Sequence, residues 1–510
     1  MCDNTTVSNS SVPSSPLARH PTTALPLSDK IPTFVINAAN KTYKHQYANI
    51  YFARLRILRD FVQNEAQKRW KDIAGSPKLV PRVLDVIKGQ LCFVIGTVYL
   101  DMPLKPNVLE DIGRDRSIPA PPPREKIYSP DDVVTLEDES GRIQLVGDRL
   151  KKAQLLTGVI VGALGLETSG GEFEVIDLCF AEMPPQHEGE RLEQDEMDID
   201  EKSSAVSQSP EDFVAFVSGL DIGSHTPSDA QIQMLVEYLT GESGGLGDQI
   251  SASQITRLVV LGNSLAPIGA TGTTDDGEKE TEKRPRRYGY DSASFSPHPI
   301  LHLSSHLHDL ASSMPVHLLP GASDPSGTIL PQQSFPRAMF GAASTYATFT
   351  CETNPTYIHL ASRAQDSLED LKKAGQPLPR SRLILATSGQ PLNDMFKYLP
   401  SPPVTRLSIA ESTLRWRHVA PTAPDTLWCH PYFTTDPFIL TETPDVYAIG
   451  CQPRFSTRLV KQNSQKCRII LVPGFAETGV LVLVSLKTLD TRIVKFSVEG
   501  MNLGISSENQ

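Results

Sequence analysis

Two apolar runs, Phe213–Ser218 and Leu258–Leu261, each lead straight into a glycine turn, and a stretch of helical spacing near Asp229–Leu239 separates them. A strand–helix–strand order with glycine loops at the strand ends fits a layered α/β sheet and few other folds. In such sheets binding sites gather at the carboxyl ends of the strands. The helical spacing returns at Ile300–Met314, where Leu303, Leu307, Leu310 and Met314 share one face. Strands are expected at Val446–Gly450, Arg468–Val472, Val480–Leu486 and Arg492–Val498, the last two as a hairpin through Asp490-Thr491.

The first half is organised differently. Apolar residues Tyr51, Leu55, Leu58, Val62 and Ala66 mark a helix over Asn49–Trp70, suited to docking on a neighbouring domain. After the buried-strand run Leu91–Tyr99, short strands at Val133–Glu137, Arg142–Val146, Gln154–Ala163 and Glu172–Ala181 are separated by turn residues. So many short strands in so little chain point to a small closed barrel, the OB-fold being the commonest intracellular form. Between Pro130 and Glu182 eleven acids face four bases, with only Phe173 and Phe180 as aromatics. A single-strand-binding groove needs the opposite balance, so a structural barrel is expected.

Four regions are thus delimited: a disordered leader (1–30), the helix and barrel (45–185), an acidic linker (186–211) and the α/β domain (212–500). An unstructured insertion is expected at about 266–299, carrying the basic cluster Lys283-Arg284-Pro285-Arg286-Arg287. The leader is rich in Ser, Thr and Pro and lacks the apolar stretch of a secretory signal; no apolar run nears the ~20 residues that span a bilayer. A soluble intracellular chain without membrane contact is expected. The seven cysteines never form a Cys-x-x-Cys pair, which argues against a disulfide framework or a zinc site built by this chain alone. A net charge of −11 makes direct DNA binding unfavourable.

The glycine turns carry the chemistry that can be tested. Gly219-Leu220-Asp221-Ile222-Gly223, Leu261-Gly262-Asn263, Pro320-Gly321-Ala322-Ser323-Asp324 and Trp428-Cys429-His430-Pro431-Tyr432 resemble the metal-binding loops of calcineurin-type phosphoesterases. An active enzyme of that type needs Asp-x-His, Gly-Asp, Gly-Asn-His and Gly-His-x-His there, to hold two cations. Here Gly223 stands for a His, Asn263 for the bridging Asp, and Ala322-Ser323 for Asn-His. The expectation is a vestigial pocket of Asp221, Gly223, Asn263, Ser323, Asp324 and His430 with no catalytic residue, metal or cofactor. A Walker loop, a dinucleotide fingerprint and a nucleophile elbow are all absent from the sequence. His302, His306 and His308 lack a third ligand pattern and are expected on the outer helix face.

An acidic barrel followed by a ligand-stripped phosphoesterase domain resembles the B-subunit family of eukaryotic replicative DNA polymerases, in particular its delta branch. The stretches that carry the resemblance run in order along the chain. They include Ile50-Tyr51-Phe52-Ala53-Arg54-Leu55, Met102-Pro103-Leu104-Lys105-Pro106, Leu330-Pro331-Gln332-Gln333 and Thr387-Ser388-Gly389-Gln390. The most specific are Arg417-His418-Val419-Ala420-Pro421-Thr422-Ala423-Pro424-Asp425-Thr426-Leu427 and Thr435-Asp436-Pro437-Phe438. The resemblance implies a nuclear, non-catalytic scaffold in DNA replication and repair. Its partners would be the catalytic subunit of DNA polymerase delta, through that chain's cysteine-rich C-terminal module, and the third subunit, which reaches the sliding clamp. An active metallophosphoesterase and a single-strand-binding barrel are the alternatives.

Overall fold

The computed structural model describes residues 17–19, 22–37, 41, 44–75, 77–106, 124–186, 211–224, 229–267, 298–361 and 381–498. Most of the acidic linker, nearly all of the 266–299 insertion and its basic cluster lie outside the described residues.

The helix forms over Asn49–Trp70 as its periodicity requires. Leu55, Leu58, Val62, Ala66 and Trp70 pack on Phe93, Ile95, Ile160 and Leu164 of the barrel. At its end Arg69 and the Trp70 indole N–H both donate to Asp177, at 2.6 and 2.9 Å. The barrel closes through five strands. Cys92–Asp101 pairs with Val133–Glu137 on one side and Ile160–Glu167 on the other, while Arg142–Val146 and Phe173–Cys179 complete the circuit. The strand expected at Gln154–Ala163 starts only at Ile160. Leu155 and Leu156 are buried without joining a ladder, so their apolar character serves core filling and carries no strand period.

The second half holds two six-stranded sheets. One runs Phe349–Cys351, Val316–Leu319, Ile255–Leu261, Phe213–Val217, Val480–Ser485, Thr491–Lys495. The other runs Thr23–Leu25, Thr356–Ala361, Ser381–Thr387, Val446–Gln452, Gln465–Pro473, Ser456–Gln462. They lie face to face: Val214, Phe216, Val259 and Leu261 of the first share a core with Ile384, Ala386, Val446 and Ala448 of the second. The alternate residues Phe213, Ala215 and Val217 turn outward under the helices Asp229–Thr240 and His298–Ser313. Leu383, Leu385, Tyr447 and Ile449 do the same under Gln390–Lys397 and Arg406–Trp416. Strands buried on both faces must be continuously apolar, which is why FVAFV and LVVL lack alternation.

The leader requires a correction. Thr23–Leu25 pairs antiparallel with the far end of Thr356–Ala361, Thr23 opposite Ala361. Downstream, Ile31 and Phe34 are buried, and Phe34 stacks on Tyr357 with ring centroids 5.6 Å apart. Arg19 reaches the carbonyl oxygens of Leu239, Ala252 and Ser313, each in the closing turn of a helix or just beyond, where the helix dipole favours a cation. Residues 17–19 and 22–37 therefore strap the α/β body, where the sequence leads one to expect disorder up to residue 30.

Candidate functional site

Strand-end turns converge where the two sheets meet. Gly219 N donates to Gly262 O (2.9 Å) and Asp221 N to Asn263 O (3.1 Å), zipping the first two sequence-defined loops together. Asn263 Oδ1 accepts from Ser323 N at 3.2 Å, and Ser323 Oγ donates to Leu265 O at 2.7 Å, which adds the third. The second sheet contributes its own turns. Gly389 sits so close that a Cβ there would lie 2.2 Å from Gly450 O; with φ +95° the position is confined to glycine on both counts. Cys451 N donates to Ser218 Oγ at 2.9 Å. Asp221, Asn263 and Cys451, none of them glycine, hold φ between 44° and 52°. Left-handed backbone costs about 1 kcal/mol or more at such residues and collects at functional turns.

The His430 backbone N–H donates to Leu330 O at 2.8 Å, and its ring packs edge-on against Tyr432. Gly450-Cys451-Gln452, at the end of a sheet strand, joins the ring of turns through the bond from Cys451 N to Ser218 Oγ. Gly223 closes the first loop with its would-be Cβ directed at Pro299, 2.6 Å from Cγ.

Neutral amides link the third loop to the second sheet's turns. Asn354, fully buried, donates from Nδ2 toward Gln332 Oε1 (2.7 Å), Ser388 Oγ (2.6 Å) and Gln390 Oε1 (2.7 Å). Its Oδ1 accepts from Ser388 N at 3.0 Å and Thr387 Oγ1 at 3.1 Å. Gln332 donates on to Gly321 O at 3.0 Å, tying this cluster to the third loop. Sequence motifs include Gln332, Ser388 and Gln390 without indicating a role for them, and they leave out Asn354.

The donor set does not fit two cations. Asp324 is buried with Oδ1 and Oδ2 already accepting from Leu265 N (2.9 Å) and Gly321 N (2.7 Å). Burial pushes its carboxyl up to about 6 even though those N–H donors pull it down. Asp221 is likewise raised to about 6, by burial first and the Glu477 charge second. In both cases burial disfavours the charged form of the carboxyl. Cys451 is pushed well above the usual thiol range by burial, with both aspartates adding to the effect, and so remains a neutral thiol. Among the described residues no group of three His, Cys, Asp or Glu side chains is placed to hold a metal. His302 is exposed as expected, whereas His306 and His308 are half-buried, the latter against Tyr346.

The most specific sequence stretches build a joint instead. Arg54, with no exposed surface, donates from Nε to Asp436 Oδ2 at 2.7 Å. Its other nitrogens reach Gly158 O (3.0 Å), Pro421 O (2.7 Å) and Ala423 O (2.9 Å). Asp436 also accepts from His418 Nε2 at 2.8 Å, while His418 Nδ1 accepts from Ala420 N at 3.1 Å, which fixes the neutral Nε2–H tautomer. Burial, reinforced by the Arg54 charge, holds the His418 imidazole down at about 4 against the pull of Asp436. Asp436 lies far below the usual carboxylate range because His418 and Arg54 outweigh its burial. Gly158 permits the approach, since a Cβ there would lie 2.0 Å from Pro421 O. Helix, barrel and α/β body thus meet at one buried ionic hub.

Comparison with known proteins agrees with this architecture. Residues 46–178 match the DNA polymerase delta subunit OB-fold domain, and 214–364 with 380–457 match the B-subunit of DNA polymerases alpha and epsilon. The chain is 36% identical over 455 residues to the DNA polymerase delta small subunit of Oryza sativa, covering 89% of this chain and 93% of that one. It is 32% identical to the small subunit of Saccharomyces cerevisiae over 92% of this chain and 93% of that one. For DNA polymerase delta subunit 2 of Drosophila melanogaster the identity is 31%, over 90% and 94% respectively. With a third of its residues shared along nearly its whole length, the chain belongs to the DNA polymerase delta small subunit family.

Proposed function

We propose that the chain is a non-catalytic accessory subunit of DNA polymerase delta, built on a phosphoesterase-like α/β scaffold of the calcineurin type whose metal centre has been lost. In that role it bridges the C-terminal module of the catalytic subunit to the third subunit, and through it to the sliding clamp, in the nucleus. The observation that carries the reading is the set of strand-end turns: they keep their left-handed backbone, yet Asn263, Ser323 and Asp324 bond within the turns, beside a neutral amide network centred on Asn354. A net charge of −11 suits contact with proteins better than with DNA.

Elemental analysis and hydrolysis of an aryl phosphodiester in manganese test the loss of the centre. The reading expects less than one cation per chain and no turnover. Two bound cations, or activity abolished by Asp221→Ala, overturn it. The accessory role is tested by co-expression with the catalytic chain, where a stable complex is expected.

A further inference from the structure

One face of the helix–body joint is aromatic and carries more basic than acidic side chains. Phe52 is 55% exposed and lies one turn before exposed Arg56 on the helix, so the two share a face. Arg56 donates from Nη2 to Thr434 O at 2.9 Å, which brings that face against the loop of Phe433, itself 55% exposed. The His45 ring stacks on Phe433 with centroids 4.7 Å apart, and Tyr47 and Trp428 stand exposed on the same two segments. Residues 41–60 contain Lys41, Lys44, Arg54, Arg56 and Arg59 against a single acid, the exposed Asp60 one turn after Arg56, and residues 426–435 contain none. Arg54 is taken up by Asp436 and Arg59 by Glu139; Arg56 forms no ion pair among the described residues. On a chain of net charge −11 such a patch is a local reversal of sign. Exposed Trp, Phe and Tyr beside Arg is the composition of interface anchor points.

We propose that this patch docks a partner polypeptide presenting an apolar face bordered by acidic residues, and that the partner is the catalytic chain. The identity of the partner rests on the accessory-subunit reading; the chemistry it must present rests on the patch. Charge complementarity favours an acidic rim, because the two segments supply five basic side chains against one carboxylate, Asp60. The aromatic rings would fill the apolar centre, and the rim would set orientation and association rate.

The test uses the full-length chain co-expressed with the catalytic chain of polymerase delta. Phe52→Asp and Phe433→Asp should each weaken the pair by ~30-fold or more, as anchor residues do, with unchanged circular dichroism and melting temperature. Arg56→Glu should slow association and flatten its salt dependence. Ile493→Asp, on an exposed strand at the edge of a sheet, serves as control and should leave affinity unaltered. A photo-cross-linking residue at position 433 should capture an acidic segment of the catalytic chain. Wild-type affinity in both Asp variants overturns the proposal, as does capture of a single-stranded oligonucleotide in place of protein. If the unaltered chain fails to bind the catalytic chain, the accessory-subunit reading falls and this proposal with it.

Discussion

Replacing Arg54 with Met keeps the volume of the side chain and removes its charge and all four of its hydrogen bonds. Asp436 is then left ionised with no exposed surface, retaining only His418 and the Phe438 N–H as donors. Breaking a fully buried pair from one side costs ~3–5 kcal/mol, because the surviving charge is uncompensated. The loss should depend on pH. Without the Arg54 charge the His418 imidazole gains proton affinity, and its protonation would neutralise Asp436, so the deficit shrinks between pH 8 and pH 5.5. Pairing Arg54→Met with Asp436→Leu removes both charges and should recover part of the loss. Urea unfolding followed by circular dichroism over the four proteins of the cycle measures the coupling. A coupling under ~1 kcal/mol would refute the reasoning, since it would place the pair among exposed bridges, which contribute that little.

Stability should also fall on acidification. His418 titrates near 6.5 when unfolded and at about 4 when folded, so the unfolded chain binds more protons in between; the contribution is complete above about 6.5 and lost as pH drops through about 4. Converted through the shift, the effect is about 3 kcal/mol, and His418→Gln should flatten that part of the stability–pH curve. Phe34→Ala should cost ~3–5 kcal/mol by emptying the site beside Tyr357 and Phe438; an unchanged melting temperature would show that the strap is not packed. Leu261→Ala, between the two sheets, should cost ~2–5 kcal/mol, read by the same melt. Asn354→Leu should destabilise by ~1–3 kcal/mol for each buried partner left unmet, and an unaltered urea midpoint would argue that the amide network is slack.

Elements whose sequence period matches their surroundings could be read directly. The Asn49–Trp70 helix has one buried stripe, Val133–Glu137 and Arg142–Val146 are bounded by turns, and FVAFV can only be a strand covered on both sides. The strap was hidden because Thr23-Ala24-Leu25 is three residues long, and its pairing is decided by a sheet edge more than three hundred residues away. Thr356–Ala361 is hard to read from the sequence because Thr356 and His359 are polar yet buried, which blurs the pattern. For the candidate site, the glycines of the first three loops are legible because close backbone approach demands them. The amide cluster is not, since Gln332, Asn354, Ser388 and Gln390 have no characteristic spacing. The turn at Gly450-Cys451-Gln452 carries no imidazole or carboxylate, so the sequence marks its strand and not its place among the turns.

Thr23–Leu25 covers one end of a six-stranded sheet, the end at Thr356–Ala361. A shortened chain beginning at the long helix would bare the Ala361 end of that strand, with its unclaimed N–H and C=O groups, and such rims recruit strands from other molecules. Three residues far from that sheet in sequence thus guard it against self-association, and removing them invites pairing between copies of the chain.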